Sequence, residues 1–372
     1  MIVPLARKTL LHEWRRFLPA VVAVAFSGLL LLVQAALVLG IFGSAAVHVD
    51  ASAGDLWVGR PGTQSVELGR PLPIDTALWV QLDPAVARVE SFRWVDGDWR
   101  GGDTSVGQPL RGAVSVFVSG LDTRPDGLLF AHALSPALRM RLAQPDAVIV
   151  DRADLGKLGV AVGDRARLNG HAVQVIAAIP GLRALGGANV LTSLDTAARL
   201  QADERDDRST YLLLSLHDPA QADAVAARLQ RTGARQGFEV WTRIDFAQRS
   251  STYWMFETGA GLGVLFLAGV VCLVGAVITS QTLMGAVAGS AAEYAALQAL
   301  GIGVRALRAV VLEQAAWVGA AGLVAGAIGA ALALALARQQ DVPVALDAES
   351  AAACIALVMA IAMASGWTAV RA

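Results

Sequence analysis

Charge is what this sequence has least of: 16% of its 372 residues are Asp, Glu, Lys or Arg, against about 25% in a typical soluble chain. The shortage is uneven, because the middle of the chain has ordinary soluble composition while both ends are nearly free of charge. Cysteine is almost missing. Cys272 and Cys354 both stand in uncharged apolar runs, which excludes a disulfide framework in the polar middle and reads as two small lipid-buried hydrophobes. The histidines (His12, His48, His132, His171 and His217) are scattered without metal-ligand spacing. No G-x-x-x-x-G-K-[ST] loop is present to cradle phosphates and no G-x-S-x-G elbow to expose a nucleophile. A net charge of -1 supplies no basic surplus for nucleic acid. These absences argue against a metalloenzyme, a hydrolase, a nucleotide-binding protein and a nucleic-acid binder, and they call for neither metal nor cofactor.

What the chain has instead is long apolar runs. A bilayer core needs about 20 apolar residues of helix, and four stretches supply them. They predict transmembrane helices over 20–43, 257–284, 309–338 and 350–370. Residues 1–19 read as a cytoplasmic amphipathic helix, with Leu10, Leu11, Trp14 and Phe17 on one face. Residues 285–308 form a cytoplasmic segment and residues 339–349 an extracytoplasmic loop. The basic flanks Arg7, Lys8, Arg15, Arg16, Arg305, Arg308 and Arg371 outweigh Arg338 on the other side. Both termini are therefore placed in the cytoplasm, with 44–256 outside. Trp14, Trp254 and Trp367 fall near the expected interfaces. Small pairs at four-residue spacing, Gly259 with Gly263 and Gly322 with Gly326, predict close helix packing.

The external segment reads as one large mixed α/β domain. Strand-like runs begin at Ala113, Ala147, Ala172, Tyr211 and Phe238, and helical patterns cover 193–200 and 219–233. Arg60-Pro-Gly62, Asp96-Gly97 and Asn169-Gly170 read as turns between them.

Three segments resemble the MacB/FtsX-type family of ABC permeases. Glu293-Tyr-Ala-Ala-Leu-Gln-Ala-Leu-Gly301, with Glu313 downstream, looks like the family's E-x-x-x-L-[RK]-A-[LI]-G segment, with Gln298 where a basic residue is usual. Leu158-Gly-Val-Ala-Val-Gly-Asp164, between the runs at 147–151 and 168–175, is similar to a turn in the family's periplasmic domain. Ala6-Arg-Lys-Thr-Leu-Leu11 with Arg15-Arg16, paired with Asp55-Leu-Trp-Val58, looks most like the DevC branch.

The resemblance implies four transmembrane helices plus a MacB-like periplasmic domain in the bacterial inner membrane, and a permease that is itself non-catalytic. It implies an ABC ATPase dimer as a separate chain, a second permease copy in a homodimer, a periplasmic membrane-fusion adaptor and contact with membrane lipids. It makes 293–301 the coupling helix, with Glu293, Tyr294, Leu297, Gln298, Leu300 and Gly301 at the ATPase contact. Tyr294 and Leu297 would be its apolar anchors and Gly301 its end. Glu313 is the one acidic residue at the membrane edge of a span, a costly place for an ionisable group; Arg308 and Arg16 are its candidate basic partners. The expected activity is export of a lipid-like or hydrophobic cargo. The alternatives are an FtsX-like transducer controlling a cell-wall hydrolase and a membrane-anchored sensor without ATPase.

Overall fold

The computed structural model describes residues 14–102, 112–201, 208–289, 299, 303–340 and 342–371. They divide into two compact units, Phe42–Gly259 and Met1–Ile41 with Ala260–Ala372. The expected interfacial helix before Trp14 lies outside the described residues.

The first apolar run forms helix α1 (Trp14–Gly43), and the chain then enters the α/β unit. Its elements are β1 (Leu56–Gly59), α2 (Thr76–Gln81), β2 (Val86–Gly101), β3 (Val114–Leu121), β4 (Ala147–Asp151), β5 (Arg165–Leu168), β6 (His171–Ile179), β7 (Ala188–Ser193), α3 (Leu194–Leu200), β8 (Tyr211–Leu216), α4 (Ala222–Gln236), β9 (Glu239–Thr242) and α5 (Arg243–Thr252). Local chemistry sets several boundaries. The Ser193 hydroxyl accepts the Thr196 N–H to start α3, Thr242 does the same for Asp245 in α5, and α4 ends on Gly237 at φ 78°.

Strand β2 is shared between two sheets. Its first half pairs antiparallel with β8, and the order continues through β1 to β9. Its second half pairs with β3, and its last residues pair with β5. The path β3–β7–β4–β6–β5 returns to β2 and closes a ring, with β3–β7 and β4–β6 parallel. Closure leaves these strands no unpaired edge.

Asp96-Gly97, expected as a turn, lies inside β2. Gly97 pairs with Val116, and a Cβ at Gly97 would come 2.8 Å from the side chains of Val116 and Leu168. The glycine is there to let the ring interior fill. Asn169-Gly170 does turn the chain between β5 and β6, with φ 50° and 84°.

Three apolar clusters follow from this layout. One fills the ring around Trp99, Val118, Val150 and Val175. A second joins β1, β8 and β9 to α2 and α4 through Val58, Val80, Leu214 and Leu229. The third is aromatic: Trp57 meets Phe92, Tyr211 and Phe246 at ring separations of 6.1, 5.8 and 5.6 Å.

The other unit joins α1 to α6 (Ala260–Gly289), α7 (Val304–Gln339) and α8 (Ala348–Arg371). Each contains a stretch long and apolar enough to cross a bilayer. Phe17, Val24 and Leu31 of α1 pack with Val318 and Leu323 of α7 and with Val358 of α8. Leu262, Phe266, Leu273 and Ile328 point outward, as lipid-facing side chains do. Two hydrogen bonds tie the bundle together. Gln34 Nε2 donates to Val264 O at 3.1 Å, and Ala345 N donates to Ala36 O at 3.0 Å. The second bond lays the α7–α8 connection on α1, where a Cβ at Gly40 would come 2.2 Å from Pro343 O.

Candidate functional site

Glu293, Tyr294, Leu297, Gln298, Leu300 and Gly301 lie outside the described residues. Arg308 is the fifth residue of α7, and its side chain is likewise outside the description. Glu313 follows on α7 and is exposed, while its neighbour Gln314 is buried.

The glycines divide into two groups. At Gly322 a Cβ would stand 2.6 Å from Val24 and 3.0 Å from Val21 O, and at Gly326 it would stand 2.6 Å from Ala25 O. Both sit directly on α1. A Cβ at Gly263 would meet nothing within 4 Å, and Gly259 is the break before α6, at φ 76°. Other close approaches were not anticipated: Gly319 on Met359 and Ala362, Gly366 on Ala315, and Gly275 on Ser27. The chain is so rich in glycine that spacing alone does not single these out.

The most developed polar construction is in the α/β unit, at the end where the chain leaves for α6. Helix α5 begins at Thr242, opposite Leu56 of β1. It runs along the sheet until Arg249 Nη1 reaches Glu239 Oε1 at 3.0 Å, at the Gly59 end. Phe246 stacks on Trp241 at 4.7 Å and fixes the helix to the sheet. One wide turn follows (Tyr253–Glu257), closed by the Thr258 N–H on Tyr253 O five residues back.

Trp254 in that turn donates its indole N–H to Ser65 Oγ at 3.1 Å and Glu67 Oε2 at 3.3 Å. The acceptors belong to a strap between β1 and α2. Tyr211 Oη, from the aromatic core, donates to Val66 O at 2.8 Å on the same strap. Arg249 Nε adds a long bond to Gln64 Oε1 at 3.4 Å.

The strap closes on itself through a repeated tripeptide. Gly59-Arg60-Pro61 and Gly69-Arg70-Pro71 stand ten residues apart. Arg60 Nε donates to Pro71 O at 2.8 Å, and Arg70 Nη2 donates to Pro61 O at 2.7 Å. A Cβ at Gly69 would come 2.5 Å from Tyr211 Oη. Sequence reasoning missed this clasp, and the Gly-Arg-Pro repeat was the available signal. Trp254, expected as an interfacial belt residue, is also tied to the domain through its indole N–H.

Glu67 carries the electrostatics of the clasp. Loss of water pushes its carboxyl pKa up, against the Ser65 hydroxyl bond, its own backbone N–H and the Trp254 indole, which lower it. Its Oε1 is buried without a hydrogen-bond partner among the described residues. A second buried acid, Glu90, takes the N–H groups of Leu128 and Leu129 at 2.5 and 3.0 Å. Burial raises its pKa while those bonds and Arg139 oppose the rise. Arg139 donates to Asp122 O at 2.8 Å and to Leu129 O, so this group holds the chain between β3 and β4 in place. Among the described residues no group of three or more His, Cys, Asp or Glu side chains converges to hold a metal. The hydrogen bonds and ring contacts of the clasp hold distant parts of the domain together.

Comparison with known proteins agrees in two parts. A model described as the MacB-like periplasmic core domain matches residues 20–232, and one described as the FtsX-like permease C-terminal module matches residues 265–372. Among curated proteins no match was found. Among solved structures, the periplasmic region of MacB from Actinobacillus actinomycetemcomitans is 12% identical; the alignment covers 54% of this chain and 94% of that one, with TM-score 0.35. The extracellular domain of the noncanonic ABC-type transporter YknZ from Gram-positive bacteria is 10% identical, covering 50% and 98%, with TM-score 0.34. A domain of a permease-like protein from Porphyromonas gingivalis is 14% identical, covering 50% and 85%, with TM-score 0.26.

Proposed function

We propose, from the premise that this chain belongs to the family of ABC-transporter permeases with a MacB-like periplasmic core domain and an FtsX-like C-terminal module, that it is the membrane subunit of an exporter. In this reading a separate ATPase dimer drives two copies of the chain, and the domain 44–256 works outside the inner membrane with an adaptor. The cargo is lipid-like or hydrophobic. The observation that carries the reading is the order of the two matched modules along one chain with four membrane-length helices. Both termini then lie in the cytoplasm, as the basic flanks favour.

The task is mechanical. Moving a two-state element from 1:99 to 99:1 requires about 5.5 kcal/mol of differential binding. The segment 293–301, docked on the ATPase, is the proposed input lever, and Glu313 with Arg308 forms its membrane-edge neighbour. Gly322 and Gly326 join α7 to α1, so a displacement of α7 has a close-packed route to the chain entering the domain. On the return path, α5 and the turn at Trp254 tie the chain entering α6 to the strap and to the aromatic core. The Trp57 and Asp55 region, which supported the DevC-like reading, forms and precedes β1, between β8 and β9.

The test is co-purification of the tagged chain from gently solubilised native membranes, beside the Tyr294→Arg variant. An ATPase subunit recovered with the wild type and lost with the variant supports both the permease reading and the docking segment. Recovery of no ATPase with the wild type overturns it in favour of an anchored sensor. A cell-wall hydrolase recovered in place of an adaptor favours the transducer.

A further inference from the structure

Both ends of the α/β unit meet at the strap. The turn Val66–Leu68 packs against Ser44–Ala46, the residues that follow α1. The same strap also receives the Trp254 indole, six residues before α6 begins. A chain advances at most about 3.4 Å per residue, so Ser65 and Glu67 stand within roughly 25 Å of the point where each neighbouring chain becomes a membrane helix. The strap is therefore at the membrane end of the domain, and the loop is clamped there by the Arg60 and Arg70 bonds.

Its outward side chains are wrong for water. Leu68 is 42% exposed, and Ile74, just past the second Gly-Arg-Pro, is 79% exposed. Arg70 between them is exposed too. Phe256, in the turn that carries Trp254, is 55% exposed. Apolar side chains with a cation among them, on a surface next to two membrane entries, match a lipid headgroup layer with acyl chains below it.

We propose that the strap from Arg60 to Ile74 is a membrane-docking surface that rests on the leaflet on the domain's side. Leu68, Ile74 and Phe256 enter the acyl boundary and Arg70 meets lipid phosphate. The domain is then held at the bilayer by a rigid clasp as well as by its two chain connections. Movement of the second connection, through Trp254, acts against a surface already seated on lipid. The assignment rests on the reading that the chain crosses the membrane on both sides of the domain.

The test uses the full-length chain with Cys272→Ser and Cys354→Ser, reconstituted into phosphatidylethanolamine–phosphatidylglycerol vesicles. Nitroxide labels are placed singly at Leu68→Cys, Ile74→Cys, Leu82→Cys and Phe266→Cys. Leu82 is as apolar and 73% exposed, and it lies at the far end of α2, beside the start of β2. Phe266 faces outward on α6 and is the membrane standard. Collision with dissolved oxygen reports lipid, and collision with an aqueous nickel chelate reports water.

At Leu68 and Ile74 we expect several-fold less nickel and more oxygen collision than at Leu82, and Arg70→Glu should bring nickel access back at Ile74. Nickel access at both sites equal to that at Leu82 overturns the docking surface. Exclusion of both reagents also overturns it, because protein, such as a second copy, then covers the strap. Nickel access at Phe266 means that the membrane reading itself has failed. Unchanged thermal midpoints of the labelled proteins establish that each is folded.

Discussion

Glu67 shows how one side chain can report the state of the clasp. Desolvation raises its pKa, so its folded pKa exceeds the unfolded value near 4.5. The stability it permits is fully present below pH 4.5 and is lost as pH rises through the folded pKa. A Glu67→Gln variant keeps an acceptor for the Trp254 indole and has no proton to lose. Its thermal midpoint, measured against wild type across the same pH series, should gain relative to wild type as pH rises from 4.5 towards neutrality. A constant difference would exclude Glu67 as the titrating group. Glu90 and Asp154 are raised by burial in the same direction and Asp83 is lowered by its Arg228 bonds, so only the wild-type-minus-variant difference isolates Glu67. Trp254→Phe keeps an aromatic side chain, smaller than the indole, and removes the donor. It should destabilise the domain by about 1–3 kcal/mol, the range for stripping a partner from a buried acceptor, measurable by denaturant titration in detergent.

At the scale of elements, the decisive contacts are those with no room for a side chain. Gly322→Val would place new atoms against Val24, 2.6 Å from the position of the added Cβ. Overpacking of this kind costs about 1–3 kcal/mol, read as a lowered melting midpoint of the full chain. Gly263→Val, with no neighbour within 4 Å, should stay within about 0.5 kcal/mol of wild type. Equal effects at the two positions would remove the distinction between them. In the α/β unit the equivalent keystone is Phe246, fully buried between Trp57, Tyr211 and Trp241. Phe246→Ala should cost about 3–5 kcal/mol and release α5 from the sheet. The resulting increase in proteolysis between 243 and 258 can be mapped by mass spectrometry.

At the scale of the molecule, the proposed work is to couple an ATPase to an external domain, and the informative variants leave the fold alone. Glu313 is exposed on α7, so Glu313→Ala should melt like wild type. In reconstituted vesicles with the partner ATPase, it should leave ATP hydrolysis running while transport falls at least tenfold, about 1.4 kcal/mol of lost coupling. Unchanged transport per ATP would assign Glu313 to the headgroup layer alone.

The sequence by itself determined the four membrane-length helices, because about twenty uncharged residues in a row leave the backbone few other ways to satisfy its hydrogen bonds. It also determined the class of the α/β domain. The runs at 147, 172 and 211 became β4, β6 and β8, and the capped pattern at 193 became α3. Only the tertiary structure decided that Asp96-Gly97 continues β2, because a glycine inside a strand reads as a break until the side chains that fill its space are known. Only the tertiary structure brought Ser65, Glu67, Tyr211 and Trp254 together. These residues come from three places in the chain, and their meeting depends on α5 running under β1 and on two arginines closing a loop. Sequence periodicity records which face of an element is apolar; it carries no record of which distant polar atoms that packing brings within hydrogen-bond reach.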